Sequence, residues 1–208
     1  MRSALSCNDE TPEPPTPRLQ RHGLDDPQRP EVEAFIRSVY AQRFGAQLQS
    51  FAPQLVSLRD ADGRIVAAAG YRGAQSQALF LERYLSEPIE AALARHAGPA
   101  PAREHVVEVG HLAASRPGEG RRLILLLGPH LAALGFQWVV STLTEELRHL
   151  FVRIGVTPLA LGAADPAALG DQAADWGRYY AHRPVVLAGH LPLALRILAR
   201  RRQQGRGA

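Results

Sequence analysis

Hydrophobic positions along the chain alternate between helical and extended spacing. Between residues 30 and 44 apolar side chains recur every three or four positions, which predicts a helix. A proline in its first turn and Gly45 directly after it suit the two ends of such a helix. Two apolar runs, residues 55–59 and 65–71, flank the turn-forming residues 60–63 and predict a β-hairpin.

The rest of the chain continues this alternation. Residues 79–81 predict another short strand and residues 88–97 a second helix. Beyond them the predicted order is strand, helix, strand, helix and two strands, at residues 105–112, 121–134, 136–143, 144–154, 158–161 and 185–188. This order predicts an α/β (or α+β) sheet flanked by helices, with a parallel crossover at its centre.

Length and composition predict one folded domain between two tails. The 208 residues, 46% of them hydrophobic, are enough for a single core. Residues 1–20 are rich in proline and poor in apolar side chains, so we expect a disordered tail there. Residues 192–208 are a basic tail, which leaves residues 21–191 as the domain. The single cysteine, Cys7, lies in the first tail, which argues against a disulfide or a positioned thiol nucleophile.

The basic residues narrow the possible functions. All 24 of them are arginines, and without lysine the chain cannot form a Schiff base, attach pyridoxal phosphate or build a P-loop. Five arginines and no acid lie after residue 191, so the tail accounts for the net charge of +4 and the remainder is close to neutral. We therefore expect no nucleic-acid partner.

The C-terminal tail leaves two interpretations open. As a basic amphipathic helix it would make a weak contact with an anionic membrane, and otherwise it is a solvated tail. The sequence contains no uncharged apolar run of about 18 residues and no signal-peptide pattern. It thus predicts a cytoplasmic protein with, at most, peripheral membrane contact.

A glycine-rich turn precedes the predicted helix 121–134. In the stretch Ser115-Arg-Pro-Gly-Glu-Gly-Arg, two glycines let backbone N–H groups converge before a helix N-terminus, an arrangement that binds phosphate. We predict an anion-binding loop, and the alternative is an ordinary turn. Its candidate residues are Ser115, Arg116, Gly118, Gly120, Arg121 and Arg122.

Glu108 and His111 are the candidate reacting groups in the preceding strand. In a regular strand they face opposite sides of the sheet, whereas a bulge at Gly110 would bring both to one side. A carboxylate among valines is expected to have a raised pKa, within the range of a general base. The alternative is that Glu108 pairs with an arginine across the sheet and His111 is a hydrogen-bonded polar residue.

Residues 176–180 concentrate three aromatic side chains in a chain with few of them. Such clusters usually belong to a core, but the hydroxyl of Tyr179 or Tyr180 could also serve as an acid. The histidines show no spacing typical of zinc ligands, so we expect no metal. No Gly-x-Ser-x-Gly elbow of a serine hydrolase is present either.

Several short stretches between Arg21 and Leu191 occur in the same order as in a known protein family. They are residues 35–40 and 44–46, 53–55, 79–85 and 88–90, 107–113, 135–144, 176–180 and 184–189. As a set they resemble the bacterial thermostable hemolysin family, which is similar to the GNAT acyltransferases and to the autoinducer (acyl-homoserine lactone) synthases. The parent pattern Gln/Arg-x-x-Gly-x-Gly/Ala stands here as Ser115-x-x-Gly118-x-Gly120. The family usually carries Asn where this chain has His111.

This resemblance implies a GNAT-like mixed sheet and an acyltransferase without a tightly bound cofactor. The glycine turn would hold the phosphopantetheine or pyrophosphate of an acyl-CoA or acyl-carrier protein. Glu108, with His111 or Glu82, would deprotonate a small amine acceptor, and Tyr179 or Tyr180 would protonate the leaving thiolate. Two alternatives remain open: a membrane-active hemolysin that uses the C-terminal tail, and an autoinducer synthase that uses S-adenosylmethionine.

Overall fold

Strands and helices alternate over the described part of the protein, which in this computed structural model is residues 19–204; Cys7 lies outside it. The strands are β1 Gln20–His22, β2 Gln54–Arg59, β3 Ile65–Gly73, β4 Val106–Ala114, β5 Trp138–Leu143, β6 Leu159–Ala163 and β7 Val185–His190. The helices are α1 Arg29–Phe44, α2 Ile89–Ala97, α3 Glu119–Ala133, α4 Glu145–Ile154 and α5 Leu191–Gln204. Further 3₁₀ segments include Phe80–Tyr84, Tyr179–His182 and Pro166–Trp176, the last interrupted by a non-helical Gly170.

The strands form one seven-stranded sheet in the order β1-β2-β3-β4-β5-β7-β6. In the described chain, β4 and β5 are the one parallel pair, joined through α3, and the other neighbours are antiparallel. The predicted mixed sheet with a central parallel crossover and flanking helices is therefore confirmed.

Helices cover both faces of the sheet. On one face α1 buries Val32 and Ile36, which lie one turn apart, against β2 and the middle of β3 and β4. On the other face α3 buries every fourth residue, Leu123, Leu127 and Leu131, against the same three strands. The core thus lies on both sides of β3 and β4, and these two strands carry the candidate site.

Residues 79–81 differ from their prediction. They lead into a 3₁₀ segment and not a strand, because the backbone N–H groups of Phe80 and Leu81 donate to the Glu108 carboxylate instead of to a neighbouring strand. No pattern in the sequence predicts β1, because its three residues are too few to show the alternation of apolar and polar side chains typical of a strand. Its His22 is buried and bonds to Ser57 on β2 at 2.9 Å.

The segment after residue 191 is helical through Gln204. Leu191 and Leu195 of α5 pack against the core beside α3, and Gly128 of α3 leaves room for Leu195. The apolar side of the predicted basic tail therefore faces its own protein. None of the described helices is both long enough and apolar enough to cross a membrane.

Candidate active site

A β-bulge in β4 turns Glu108 and His111 to the same side of the sheet. Ala68 pairs with Ala113 and Gly70 with Gly110, so two residues of β4 stand opposite one residue of β3. The backbone of His111 has φ +53°, in the left-handed region, whereas Gly110 has an ordinary φ. The extra residue thus lies one position after the glycine that we expected to form the bulge.

Glycine is not required at the bulge because histidine and asparagine adopt the left-handed region more readily than most side chains. The imidazole of His111 is held by aromatic neighbours, with ring centroids 5.2 Å from Phe51 and 6.5 Å from Tyr40. Gly70 on β3 makes room for it, since a Cβ there would stand 3.1 Å from His111 Nδ1. These contacts fix a conformation that costs about 1–3 kcal/mol in isolation.

Beside the bulge, β4 and β5 separate. Their parallel pairing runs from Val106 with Trp138 to Glu108 with Val140 and ends there, although both strands continue. The backbone of β4 beyond Glu108 therefore faces a gap in the sheet.

Three cavities meet at this gap. One lies on the α1 face and is lined by Glu108, Gly110 and His111. A second, almost entirely apolar, lies on the face of α3 and α5, and a third is a cleft of about 640 Å³ between the start of α3 and α4. Leu112, the residue after His111, borders all three.

The glycine-rich turn forms one wall of the third cleft. Gly118 has φ +90° and precedes α3, and Arg122 N–H makes the first i→i−4 bond of the helix, to Gly118 O at 3.0 Å. The preceding amides of Gly120 and Arg121 are the kind that helix starts leave without an intrahelical partner. All predicted loop residues except Arg122 line the cleft.

Positive charge predominates in this cleft. Arg116 contacts Asp60 at 3.4 Å and Arg43 pairs with Glu146, while Arg121 and Arg153 have no acidic partner among the described residues. The hydroxyl of Ser115 is engaged within the protein and not with the cleft. It donates a hydrogen bond to Val66 O at 3.2 Å and so ties the turn to β3. Arg122 pairs with Glu119 of its own helix. The cleft can bind an anion through helix amides and two arginines.

Glu108 is buried and held by backbone N–H groups. Its two oxygens accept hydrogen bonds from Phe80 at 2.8 Å and Leu81 at 3.0 Å, and Arg72 Nε lies 3.5 Å from Oε2. Burial raises the pKa of Glu108, partly offset by these amides and by Arg72. The carboxylate therefore faces an arginine across the sheet and also lines the cavity, and its role as a general base stays a prediction.

The imidazole of His111 bonds to the backbone of Ser50 and leaves one ring nitrogen without a partner. Its Nδ1 is buried and bonds to none of the residues that the structure describes. Burial, with the charge of Arg72, lowers the pKa of His111 to about 4, so the ring is neutral near pH 7. The neutral ring borders the cavity, and its Nδ1 keeps the capacity to make one hydrogen bond.

Glu82 does not line the cavity with Glu108. Its oxygens accept hydrogen bonds from the backbone of Leu79 at 2.7 Å and Ile89 at 2.9 Å, and Arg103 binds it at 2.8 Å. Although burial alone would raise the pKa of Glu82, the bonds from Arg103 and these amides hold it below its usual value. Glu82 thus fastens the segment before α2 and is not placed to deprotonate an acceptor.

The two candidate tyrosines lie in different places. Tyr179 lines the cavity on the α1 face, and its hydroxyl donates to Thr142 O on β5 at 3.0 Å, next to the gap. Burial raises the pKa of Tyr179 well above its usual range, so the phenol keeps its proton. Tyr180 does not border the cavity, and its hydroxyl lies 2.6 Å from that of Tyr84.

Two residues that matter here escaped the sequence analysis. Arg72 on β3 faces Glu108 in direct register, and Leu112 stands where the three cavities join. A lone arginine in the apolar stretch 65–73 was the available signal for the first. Across residues 19–204 no group of three potential metal ligands is found.

The sequence model of the family described as thermostable hemolysin matches residues 22–195. The chain belongs to that family. The family membership that the sequence resemblance predicted is therefore confirmed. No match was found among curated proteins.

Solved structures share the fold of this thermostable hemolysin family member at low sequence identity. The N-acyl amino acid synthase FeeM from uncultured soil microbes is 16% identical, with TM-score 0.58 over 88% of this chain and 95% of that one. The CoA-dependent acyl-homoserine lactone synthase MesI is 16% identical, with TM-score 0.54 over 88% and 94%. A putative N-acetyltransferase from Lactobacillus plantarum is 13% identical, with TM-score 0.53 over 84% and 98%. The GNAT-like fold is thus established.

Proposed function

We propose that the protein is an acyltransferase that moves an acyl group from a phosphopantetheine thioester to an amine. Three chemically different cavities share Leu112 as a wall, and this is the observation that carries the proposal. A thioester donor has an anionic arm and an acyl chain, and the acceptor must approach the carbon between them. The fold shared with proteins described as acyl synthases and an N-acetyltransferase supports the same assignment.

The cationic cleft suits the anionic arm of the donor, which is acyl-CoA or acyl-carrier protein. The amides of Gly120 and Arg121 at the start of α3 would meet a phosphate, and Arg116 and Arg153 border the same space. From there the arm would enter the gap between β4 and β5, where unpaired backbone lies beside the thioester. A backbone N–H in that gap would polarise the carbonyl oxygen.

The apolar cavity suits the acyl chain. Its lining includes Leu127, Leu131, Leu187, Leu195 and Leu198, contributed by α3, β7 and α5. Burying a methylene group stabilises binding by about 0.8 kcal/mol, so such a lining favours acyl groups longer than acetyl. The apolar side of α5 forms part of this wall, which gives the C-terminal helix a role inside the protein.

The remaining cavity would hold the acceptor. The amine nitrogen attacks the thioester carbon, the C–N bond forms, and the C–S bond breaks to release the thiolate. Glu108, with His111 beside it, would take one proton from the acceptor before the attack, and the proton lost from nitrogen as the C–N bond forms would pass to the thiolate by way of the Tyr179 hydroxyl. Direct attack accords with the absence of a cysteine from the described residues.

Blocking the start of α3 tests the donor site. We expect Gly118→Trp to weaken CoA binding about tenfold or more, because the indole would occupy the cleft beside the phosphate-binding amides. Isothermal titration of the full chain with CoA and with decanoyl-CoA measures the affinity. Gly135→Trp is the matched control, since Gly135 also has φ +90° and open space around it but follows the other end of α3. Equal affinities for both variants, or no binding of either donor by the wild type, would contradict the donor site.

Filling the apolar cavity tests the acyl site. Gly189 borders this cavity without a positive φ, and a Cβ there meets no atom within 4 Å, so Gly189→Leu should fit without backbone strain. We expect kcat/KM for decanoyl-CoA to fall about tenfold or more while acetyl-CoA is affected little, since only the longer chain needs the space. Rates of thiol release with donors of increasing length measure this. A uniform fall for all donors would place the acyl chain elsewhere.

A further inference from the structure

Arg72 is a largely buried guanidinium without hydrogen bonds. Its side chain is 19% exposed, and none of its N–H groups makes a hydrogen bond to the residues that the structure describes. Its nearest charged neighbour is Glu108, with Nε 3.5 Å from Oε2. A guanidinium carries five donors, and Arg72 borders two cavities from which a ligand could accept hydrogen bonds from them.

Glu108 balances the charge of Arg72 without satisfying its donors. Both carboxylate oxygens already accept short hydrogen bonds from the amides of Phe80 and Leu81. A ligand oxyanion would supply what Glu108 does not, and a carboxylate matches the fork of a guanidinium with two parallel hydrogen bonds.

The same cavity is lined by His111, whose Nδ1 is the second unpartnered group. Arg72 also borders an open cleft of about 830 Å³ on the outer side, so a ligand can reach the guanidinium from solvent. The cavity therefore offers an anion-binding group near its entrance and a polar nitrogen beside the bulge. Aromatic rings line the space around them: Tyr40, Phe80, Tyr84, Trp176 and Tyr179.

We infer that the acceptor is an amino acid, whose carboxylate binds Arg72 while its amine points to the β4 bulge and its side chain packs among the aromatic rings. This inference rests on the proposed acyl transfer and specifies its acceptor. An amine without a carboxylate would leave the guanidinium without a partner. Sites built to bind a polar group discriminate most strongly against ligands that lack that group.

The charges in the cavity favour such an acceptor. Bound as a zwitterion, it places a second carboxylate beside Arg72 and its ammonium near Glu108. Transfer of one proton from the ammonium to Glu108 leaves a free amine, a neutral carboxylic acid and a single carboxylate on the arginine. The same proton transfer thus prepares the nucleophile and removes the repulsion between two carboxylates.

Matched acceptors test the inference. Phenylalanine, phenylalaninamide and phenethylamine share the ring and the amine and differ in the carboxylate, and S-adenosylmethionine is a larger amino acid. With decanoyl-CoA as donor, we expect kcat/KM of the wild type for phenylalanine to exceed that for phenethylamine about tenfold or more. Thiol release gives the rates, and mass spectrometry identifies the N-acyl product.

Substitution of Arg72 should remove this preference. We expect Arg72→Gln to lower kcat/KM for phenylalanine about tenfold or more, mainly through KM, and to change the rate with phenethylamine little. Arg72→Lys should restore part of the preference as a point charge. Arg64→Gln, in the exposed turn before β3, is the control for loss of an arginine. If Arg72→Gln does not fold, the acceptor series measured on the wild type and on Arg72→Lys still tests whether Arg72 binds the carboxylate of the acceptor.

The outcomes separate the inference from the function on which it rests. Equal use of phenylalanine, S-adenosylmethionine and phenethylamine, or equal slowing of all by Arg72→Gln, would overturn the carboxylate site while leaving acyl transfer intact. Titration of phenylalanine without a donor gives a second readout. Binding that Arg72→Gln abolishes, with no acyl transfer to any amine, would support the carboxylate site and refute the proposed function.

Discussion

Gly177→Ala is expected to lower the free energy of unfolding by about 4–5 kcal/mol, at the upper end for a single substitution. A Cβ at this position would stand 2.3 Å from the carbonyl oxygen of Phe44 and 2.8 Å from the backbone of Gly45. Both atoms belong to the end of α1, where Phe44 O accepts the Arg178 N–H at 2.7 Å. Relief of the clash would break that bond and move the aromatic residues on either side, Trp176 and Tyr179, out of the cavity.

Gly170→Ala is the matched control for this prediction. Gly170 has φ +55° and ψ −133°, almost the same as φ +52° and ψ −123° at Gly177, but no atom lies within 4 Å of an added Cβ. Gly170→Ala should therefore lower the free energy of unfolding only by the backbone strain, about 1–3 kcal/mol. Urea unfolding of both variants measures the difference. An equal loss of stability would show that the approach of residues 176–180 to α1 is not the constraint.

The wild type should lose about 3 kcal/mol of stability between pH 6.5 and pH 4 through His111 alone. Burial lowers the pKa of His111 from 6.5 to about 4. Within this window the unfolded chain binds a proton that the folded protein does not, so the free energy of unfolding falls as the pH falls. Above pH 6.5 both states are neutral at this residue and the effect is absent.

His111→Asn isolates this contribution. Asparagine also adopts the left-handed region at low cost, so the bulge should persist while the titration disappears. Glu108 acts in the opposite direction, since its raised pKa adds stability as the pH falls, but it is present in both proteins and largely cancels in their difference. Urea unfolding from pH 4 to pH 7.5 should show the wild type losing about 3 kcal/mol relative to His111→Asn between pH 6.5 and pH 4, and His96→Asn on α2 controls for loss of a histidine. Parallel profiles would mean that His111 is not buried as a neutral ring.

The backbone conformation at residue 111 accepts histidine and asparagine alike. Both tolerate a positive φ, so the first requirement at residue 111 is a property of the backbone. The chemistry of the side chain comes second, because the bulge aims whichever residue it carries into the cavity with Glu108. From the sequence, Gly110 was the candidate position for a bulge because glycine is the usual residue for such a conformation.

The sequence by itself determined the order of helices and strands apart from β1 and residues 79–81, the family, and the location of the glycine turn. These follow from periodicity and from short motifs, which are local properties of the chain. It could not place Glu82 at the segment before α2 or Arg72 opposite Glu108. Both placements depend on pairs of residues 21 and 36 positions apart in the chain, Glu82 with Arg103 and Arg72 with Glu108.

Only the tertiary structure decided what lies between the candidate residues. The register between β3 and β4 creates the bulge at His111, and the end of the β4–β5 pairing after Glu108 opens the gap at which three cavities meet. The packing of α5 on α3 converts a basic tail into a wall of the apolar cavity. Each of these features depends on where strands distant in sequence stop pairing. That position is set by backbone hydrogen bonding against side-chain packing over the whole fold, so no local stretch of residues determines it.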